Sequence, residues 1–293
     1  YQLGVTRRPG DESADRARRE QALRRALELS PAYVPAVGAL ATLLADLGRH
    51  GEALTLAQRA AQIEPQQAAW RLRLASALRA VDRAADADRV EAELLRAASA
   101  DLGVLVQATW YFRQAGRLDE AVALLAKAQA SRPRDARLLL VVGENLAQLE
   151  RHDEAEAAFR AALAVRPDDP GVLNALGYLN VERGVRLPEA LALIEKALKL
   201  QPDNPSVLDS RGWALFKLGR LAEAERDLRR ALESLPSAVV LDHLGDVLAA
   251  QGRPAEAEAA WRQALEQRDA TDERRTAIQR KLEPSPPAPA PAA

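Results

Sequence analysis

Apolar residues along the chain follow the spacing of one face of an α-helix, and this spacing is interrupted at regular intervals. Within residues 173–232 the same pattern occurs twice, so that Gly184 aligns with Gly219 and Ala197 aligns with Ala231. A purely helical apolar pattern with a period of about 34 residues indicates a protein built from repeated helix pairs. The chain is therefore best interpreted as an array.

Three residue types mark each predicted repeat. A small Ala near the start of the second helix lets helix backbones approach closely. A Gly ends the first helix because it adopts the left-handed conformation, and a Pro ends the second because it cannot continue a helix. These landmarks are Ala53, Ala87, Ala121, Ala155, Ala190, Ala224 and Ala257; Gly48, Gly116, Gly184, Gly219 and Gly252; and Pro31, Pro65, Pro133, Pro167, Pro202 and Pro236.

The landmarks divide the chain into repeats and terminal segments. Pro9 and Gly10 are expected to break the first segment, leaving a helix from about Ser13 to Leu29. A short helix from Asp272 to Leu282 is expected to cover the last apolar surface, because arrays need such a cap. The predicted segments are 1–31, a truncated repeat; 32–65, 66–100, 101–133, 134–167, 168–202, 203–236 and 237–268, seven repeats; 269–283, the cap; and 284–293, a disordered Pro/Ala-rich tail.

The repeat at residues 66–100 departs from the pattern. Asp82 stands in place of the turn Gly, Glu91 occupies a slot that is apolar elsewhere, and Ser99 replaces the Pro. Two explanations remain open from the sequence. Either the array bends differently at this repeat, or a neighbouring element covers Glu91.

Composition and charge exclude several classes of protein. The net charge is −1 with both signs interspersed, whereas a nucleic-acid binder needs a basic stripe. Cysteine is absent, which rules out disulfides and thiolate chemistry, and no apolar run is long enough to span a membrane. Methionine is also absent, so Tyr1 is not a translation start. We therefore expect an N-terminal part, with any signal or lipid anchor, to be missing.

The repeat pattern resembles the tetratricopeptide repeat over roughly residues 15–268. This resemblance implies an all-α fold, a right-handed solenoid of tandem helix-turn-helix repeats, that binds proteins and carries no catalytic site. One copy shows the family's marks most completely, at Leu139, Val142, Gly143, Leu146, Ala155, Phe159, Ala162 and Pro167.

The C-terminal repeats also resemble those of bacterial envelope lipoproteins, some of which are adaptors of a periplasmic carboxyl-terminal processing protease. The shared details are the insertion at residues 185–187, the DS-x-GW sequence of Asp209–Trp213 and the HLGD sequence of His243–Asp246. The resemblance favours a periplasmic or outer-membrane-associated location, with the cytoplasm as the alternative.

First helices line the concave groove of such arrays, and three slots per repeat face it. Acidic and amide residues recur in one slot, with aromatic residues beside them. We predict that this face holds a protein or peptide with basic or amide character, because Trp and Tyr are common interface anchors. The alternative is that Tyr178, Trp213 and Trp110 pack between helices. The predicted groove residues are Asn174, Tyr178, Asp209, Trp213, Phe216, Asp242, Asp246, Trp110 and Arg113.

No arrangement of residues points to catalysis, a metal or a cofactor, and we expect none of them. His50 and His152 share one repeat slot that holds Leu elsewhere, which indicates packing. The first hypothesis is therefore a scaffold or adaptor. The second is a structural module that forms homo-oligomers, and the third is the regulatory array of an enzyme whose catalytic domain is absent here.

Overall fold

The chain is all-α in the part that the computed structural model describes, which comprises residues 9–98, 100–234 and 236–283. These residues form sixteen helices and no strand. The helices are α1 (Pro9–Leu29), α2 (Val34–Asp46), α3 (His50–Ile63), α4 (Ala68–Arg79), α5 (Ala84–Ala98), α6 (Leu102–Gln114), α7 (Leu118–Ser131), α8 (Ala136–Gln148), α9 (His152–Val165), α10 (Pro170–Glu182), α11 (Leu187–Leu200), α12 (Pro205–Lys217), α13 (Leu221–Ser234), α14 (Ala238–Ala250), α15 (Pro254–Glu266) and α16 (Asp272–Leu282).

Two compact units make up the chain, with the division after Arg132. Unit 1 (residues 1–132) contains α1–α7, and unit 2 (residues 133–293) contains α8–α16. In each unit a first helix packs against the second helix of its own repeat. In unit 2 the first helices α8, α10, α12 and α14 also contact one another in sequence. The prediction of an all-α solenoid of helix pairs is confirmed, whereas the division into two units was not predicted.

Small residues set the distance between paired helices. The seven landmark Ala residues are all buried, with at most 3% of their surface exposed. In unit 2 a Gly of the first helix faces a large side chain of the second. A Cβ at Gly143 would lie 2.4 Å from the Phe159 ring, and one at Gly245 would lie 2.3 Å from Trp261. Any larger residue would force these helices apart.

The turn inside each helix pair has a residue in the left-handed conformation. The five landmark Gly residues have φ between 66° and 76°, as predicted. Asp82 (φ 59°) and Glu150 (φ 60°) adopt the same conformation in the equivalent slots. A residue with a Cβ is strained in this region. Glu150 had not been recognised from the sequence as a replacement for the turn Gly.

Helix α1 begins at Pro9, four residues before the predicted start at Ser13. Proline is favoured in the first turn of a helix, where its missing N–H costs nothing, so Pro9 and Gly10 begin the helix and do not break it. The predicted tail at 284–293, the Ser99 position and residues 1–8 lie outside the described residues.

Glu91, the unusual residue of the degenerate repeat, is only 4% exposed. Its carboxylate accepts hydrogen bonds from Arg79 of α4 (2.9 and 3.0 Å), Arg117 (2.8 Å) and the Tyr111 hydroxyl of α6 (2.6 Å). Burial opposes the charge, but hydrogen bonds from Arg79, Arg117 and Tyr111 outweigh it and lower the pKa of Glu91 to about 2. Of the two explanations left open, the structure shows that a neighbouring repeat covers Glu91.

Candidate functional site

A cavity of unit 2, with a volume of about 840 Å³, opens between the first helices α8, α10 and α12. We call it the unit 2 cavity. A volume of this size falls in the range of ordinary ligand sites. Three of the predicted groove residues, Asn174, Tyr178 and Asp209, line it.

Carboxylates dominate the charge of the unit 2 cavity. Glu144, Glu182 and Asp209 lie in its wall, and no Lys or Arg does. Within the described residues, none of these three carboxylates forms an ion pair with Lys or Arg. Water reaches Glu144, yet the surrounding walls partly desolvate its carboxyl and raise its pKa. The cavity wall therefore holds more acidic than basic side chains.

Tyr178 stands beside these carboxylates. Burial raises the pKa of its phenol, and the nearby negative charges of Glu182 and Asp209 raise it further. The phenol therefore stays protonated at neutral pH and offers an O–H donor and an apolar ring. Its half-buried position agrees in part with both the groove prediction and the packing alternative.

Two buried polar atoms of the cavity wall have no hydrogen-bond partner in the described structure. They are Asn174 Oδ1 and His152 Nδ1. A buried polar atom without a partner costs free energy comparable to a lost hydrogen bond. A ligand that donates to Asn174 Oδ1 would remove that cost.

Trp213 does not line the cavity, in contrast to its predicted position as a groove contact. Its side chain is 8% exposed and stacks between His243 (4.2 Å between ring centroids) and Phe216 (4.8 Å). Its indole N–H donates to Glu182 at 2.6 Å. The packing alternative therefore describes Trp213. Phe216 is half-buried beside it and is likewise absent from the cavity wall.

The residues that carried the narrower sequence resemblance meet in this cluster. His243 Nδ1 lies 2.8 Å from Asp209 Oδ1, while the His243 ring stacks on Trp213. Both Asp209 and His243 are buried. The DS-x-GW and HLGD sequences thus join α12 to α14 through the contact between Asp209 and His243.

Asp242 and Asp246 do not face an open groove, because α16 covers them. Arg274 donates to Asp242 at 2.8 Å, and Lys281 contacts Asp242 at 2.7 Å and Asp246 at 2.6 Å. Ile278 of the same helix is fully buried. The two carboxylates were predicted to meet a partner, but they are neutralised by the chain's own capping helix.

Trp110 and Arg113 belong to unit 1. Trp110 is 59% exposed, and it lines a smaller cavity of about 440 Å³ together with Arg73, Gln107 and Gln114. Arg113 is half-buried and does not line that cavity. The nine predicted groove residues therefore divide between the two units.

Sequence reasoning missed several residues of the unit 2 cavity. Glu144 occupies the same repeat slot as Tyr178, Trp213 and Asp246, but its repeat has no aromatic residue in the groove slots and was passed over. Glu182 lies one turn beyond Tyr178, outside the three slots per repeat that the pattern assigns to the groove. His152 was assigned to packing, yet it borders the cavity as the first residue of α9.

Neither a metal site nor a membrane span emerges in the described residues. No group of three or more His, Cys, Asp or Glu is placed to hold a metal ion there. The described helices include none that is both long and apolar enough to cross a membrane.

Comparison with known proteins identifies the repeats. A tetratricopeptide repeat model matches residues 108–170, 143–205 and 175–239, and a second such model matches residues 237–267. Together they cover more than half of the 293 residues. A TPR repeat-containing protein of Pseudomonas aeruginosa is 37% identical over a segment that covers 42% of this chain and 27% of that protein. The chain thus matches about a quarter of that relative's length.

Solved structures share the fold. A TPR protein of Thermus thermophilus superimposes with a TM-score of 0.53 at 23% identity, covering 61% of this chain and 97% of that one. A tetratricopeptide repeat protein of Parabacteroides merdae gives 0.58 at 17% identity, covering 85% and 99%. Yeast Tom70 gives 0.57 at 16% identity, covering 94% and 60%. At these identities the similarity concerns the fold alone.

Proposed function

The chain belongs to the tetratricopeptide repeat family, and from this premise we propose that it is a non-catalytic scaffold that binds a segment of a partner protein in the unit 2 cavity. The observation that carries the proposal is the cavity itself. It is open, about 840 Å³ in volume, and lined by polar groups without partners on helices that the core holds in place. Such a site fits a ligand that brings its own donors.

Packing beneath the cavity supports a binding role. Leu173, Leu208 and Ala214 of α10 and α12 are almost fully buried in one continuous core. A rigid wall loses little conformational entropy when a ligand binds, so more of the interaction energy appears as affinity. Cavity side chains on a rigid core therefore favour a partner segment of one defined shape.

The experiment compares two substitutions in one repeat. Ala147→Trp places a large ring in the cavity wall, while Ala157→Trp puts the same ring on an exposed position of α9 outside it. We expect proteins captured from a bacterial envelope extract by the unsubstituted chain to be retained by Ala157→Trp and lost by Ala147→Trp. Equal capture by both variants would place the binding surface elsewhere and contradict the proposal.

The proposed setting is the bacterial envelope, where the scaffold would serve protein assembly or proteolysis as an adaptor. Support comes from the sequence resemblance of residues 173–265, whose shared Asp209, Trp213 and His243 form one packed cluster. Fractionation of cells that produce the full-length protein tests the setting. Recovery with the cytoplasmic fraction alone would exclude it.

A further inference from the structure

Helix α16 places basic side chains against the acidic groove residues of the last repeat. Asp246 of α14 accepts hydrogen bonds from Lys281 at 2.6 and 2.8 Å, and Asp242 accepts hydrogen bonds from both Arg274 and Lys281. Both carboxylates stand in the groove slots of the last repeat. The chain therefore already contains one example in which cationic side chains occupy these slots.

The repeat periodicity places Glu144 of α8 in the slot of Asp246, and Asn174 and Asp209 in the slot of Asp242. These three residues line the unit 2 cavity, which α16 does not enter. Glu144 has no ion-pair partner among the described residues, and Asn174 Oδ1 has no donor. Lys and Arg thus occupy these slots in the last repeat, whereas Glu144 and Asn174 Oδ1 lack such partners in two earlier repeats and Asp209 contacts His243 instead.

Electrostatics favours a cation in the cavity over the other classes of side chain. Glu144, Glu182 and Asp209 face it without any Lys or Arg in the wall, so an acidic side chain would be repelled. An apolar side chain would desolvate Glu144 further without compensation, and the desolvation already raises the pKa of that carboxyl. A cation offsets the desolvation of Glu144 and donates hydrogen bonds to Glu144 and Asn174 Oδ1, which have no donor in the described structure.

We propose that the unit 2 cavity recognises a lysine or arginine side chain of an extended segment of the partner protein, which ion-pairs with Glu144 and Glu182 and donates to Asn174 Oδ1. This inference rests on the proposed function, since it names the chemistry of the segment that the cavity binds. The ligand is the cationic counterpart of Lys281 and Arg274, supplied by another chain. Because the cavity wall is acidic, we expect the ligand to be a basic peptide.

The test uses the full chain and pools of fluorescent nonapeptides with random flanking residues. The central residue is fixed as lysine, norleucine, arginine, citrulline or glutamate. Norleucine and citrulline retain nearly the shape of lysine and arginine without the charge. Fluorescence polarisation is expected to show the lysine and arginine pools binding at least about tenfold more tightly than their neutral counterparts, and the glutamate pool not binding.

Two variants locate the effect. Glu144→Gln removes the charge from the cavity and is expected to reduce the preference for the cationic pools at least about fivefold. Glu189→Gln, an exposed position at the start of α11 outside the cavity, is expected to leave it unchanged. Equal binding of all pools, or equal effects of the two variants, would overturn the inference.

The outcome separates this inference from the proposed function. Loss of partner capture with Ala147→Trp, combined with pools that bind equally, would leave the binding role standing and refute the cationic ligand. Binding of no pool at all would also refute it. Unchanged capture by Ala147→Trp would refute the proposed function itself.

Discussion

At the scale of single residues, Glu91 shows how an array tolerates a charge at a core position. Its carboxylate is surrounded by Arg79, Arg117 and the Tyr111 hydroxyl, and burial together with the Glu91 charge raises the pKa of that phenol to about 12. The cluster replaces the apolar contact that Leu125 or Phe159 makes in the equivalent slot of other repeats. Without Glu91, the half-buried Arg79 and Arg117 would keep only their outer partners, Asp88 and Glu120.

We predict that Glu91→Leu destabilises unit 1 by about 3 kcal/mol at pH 7, although it restores the apolar residue of the family pattern. The loss follows because Arg79 and Arg117, which are both half-buried, lose the carboxylate that they share. Urea unfolding followed by circular dichroism measures the change. A variant as stable as the parent would mean that the ion cluster contributes nothing.

The same cluster predicts a pH dependence. The pKa of Glu91 lies near 2 in the folded chain, below its ordinary value of 4.5. The resulting stabilisation, at most about 3 kcal/mol, is present above pH 4.5 and lost as the pH falls towards 2. The stability difference between the parent and Glu91→Gln should therefore narrow between pH 5 and pH 3, in urea titrations at each pH. A constant difference would show that the pKa of Glu91 is not lowered.

The left-handed turn residues give a second residue-scale prediction. Glu150 has φ 60° in the slot where Gly184 has φ 66°. Glu150→Gly should stabilise unit 2 by about 0.5 kcal/mol, because relief of the strain exceeds the entropy that Gly loses on folding. Gly184→Ala is the reverse change and should cost about 1 kcal/mol. Thermal unfolding of both variants checks the pair, and shifts of the same sign would contradict it.

At the scale of elements, α16 ends the array by two means at once. Ile278 is fully buried against Leu241 and Ala264, while Arg274 and Lys281 neutralise two carboxylates of α14. Apolar packing fixes the position of α16, and the ion pairs satisfy groups that would otherwise meet water or a partner. The helix therefore covers the last apolar surface and also pairs with Asp242 and Asp246, the groove-slot carboxylates of the last repeat.

We predict that Ile278→Ala destabilises the C-terminal repeats by about 3 kcal/mol, through lost burial and the remaining void. Gln279→Ala, on the exposed side of the same helix, should change stability by less than about 0.5 kcal/mol. Hydrogen exchange of α14 and α15 reports the effect locally. Equal protection in the two variants would mean that α16 does not hold these helices.

At the scale of the whole molecule, sequence periodicity predicted the helix pairs and their order. It could do so because small Ala, turn Gly and terminal Pro are local requirements of a helix pair. Periodicity also gave the groove slots of Asn174, Tyr178 and Asp209. It could not show that Trp213 would stack on His243, since that contact depends on the exact approach of α12 and α14. Nor could it show that α16 would fold back over Asp242 and Asp246.

The measurement that tests the central claim most directly is site-specific photo-crosslinking to the partner. Benzoylphenylalanine at Gln148 lies in the wall of the unit 2 cavity, and at Lys199 it lies on the exposed side of α11 outside that cavity. A groove scaffold predicts that a captured partner crosslinks from position 148 and not from position 199. Crosslinking from 199 alone, or equally from both positions, would contradict the account.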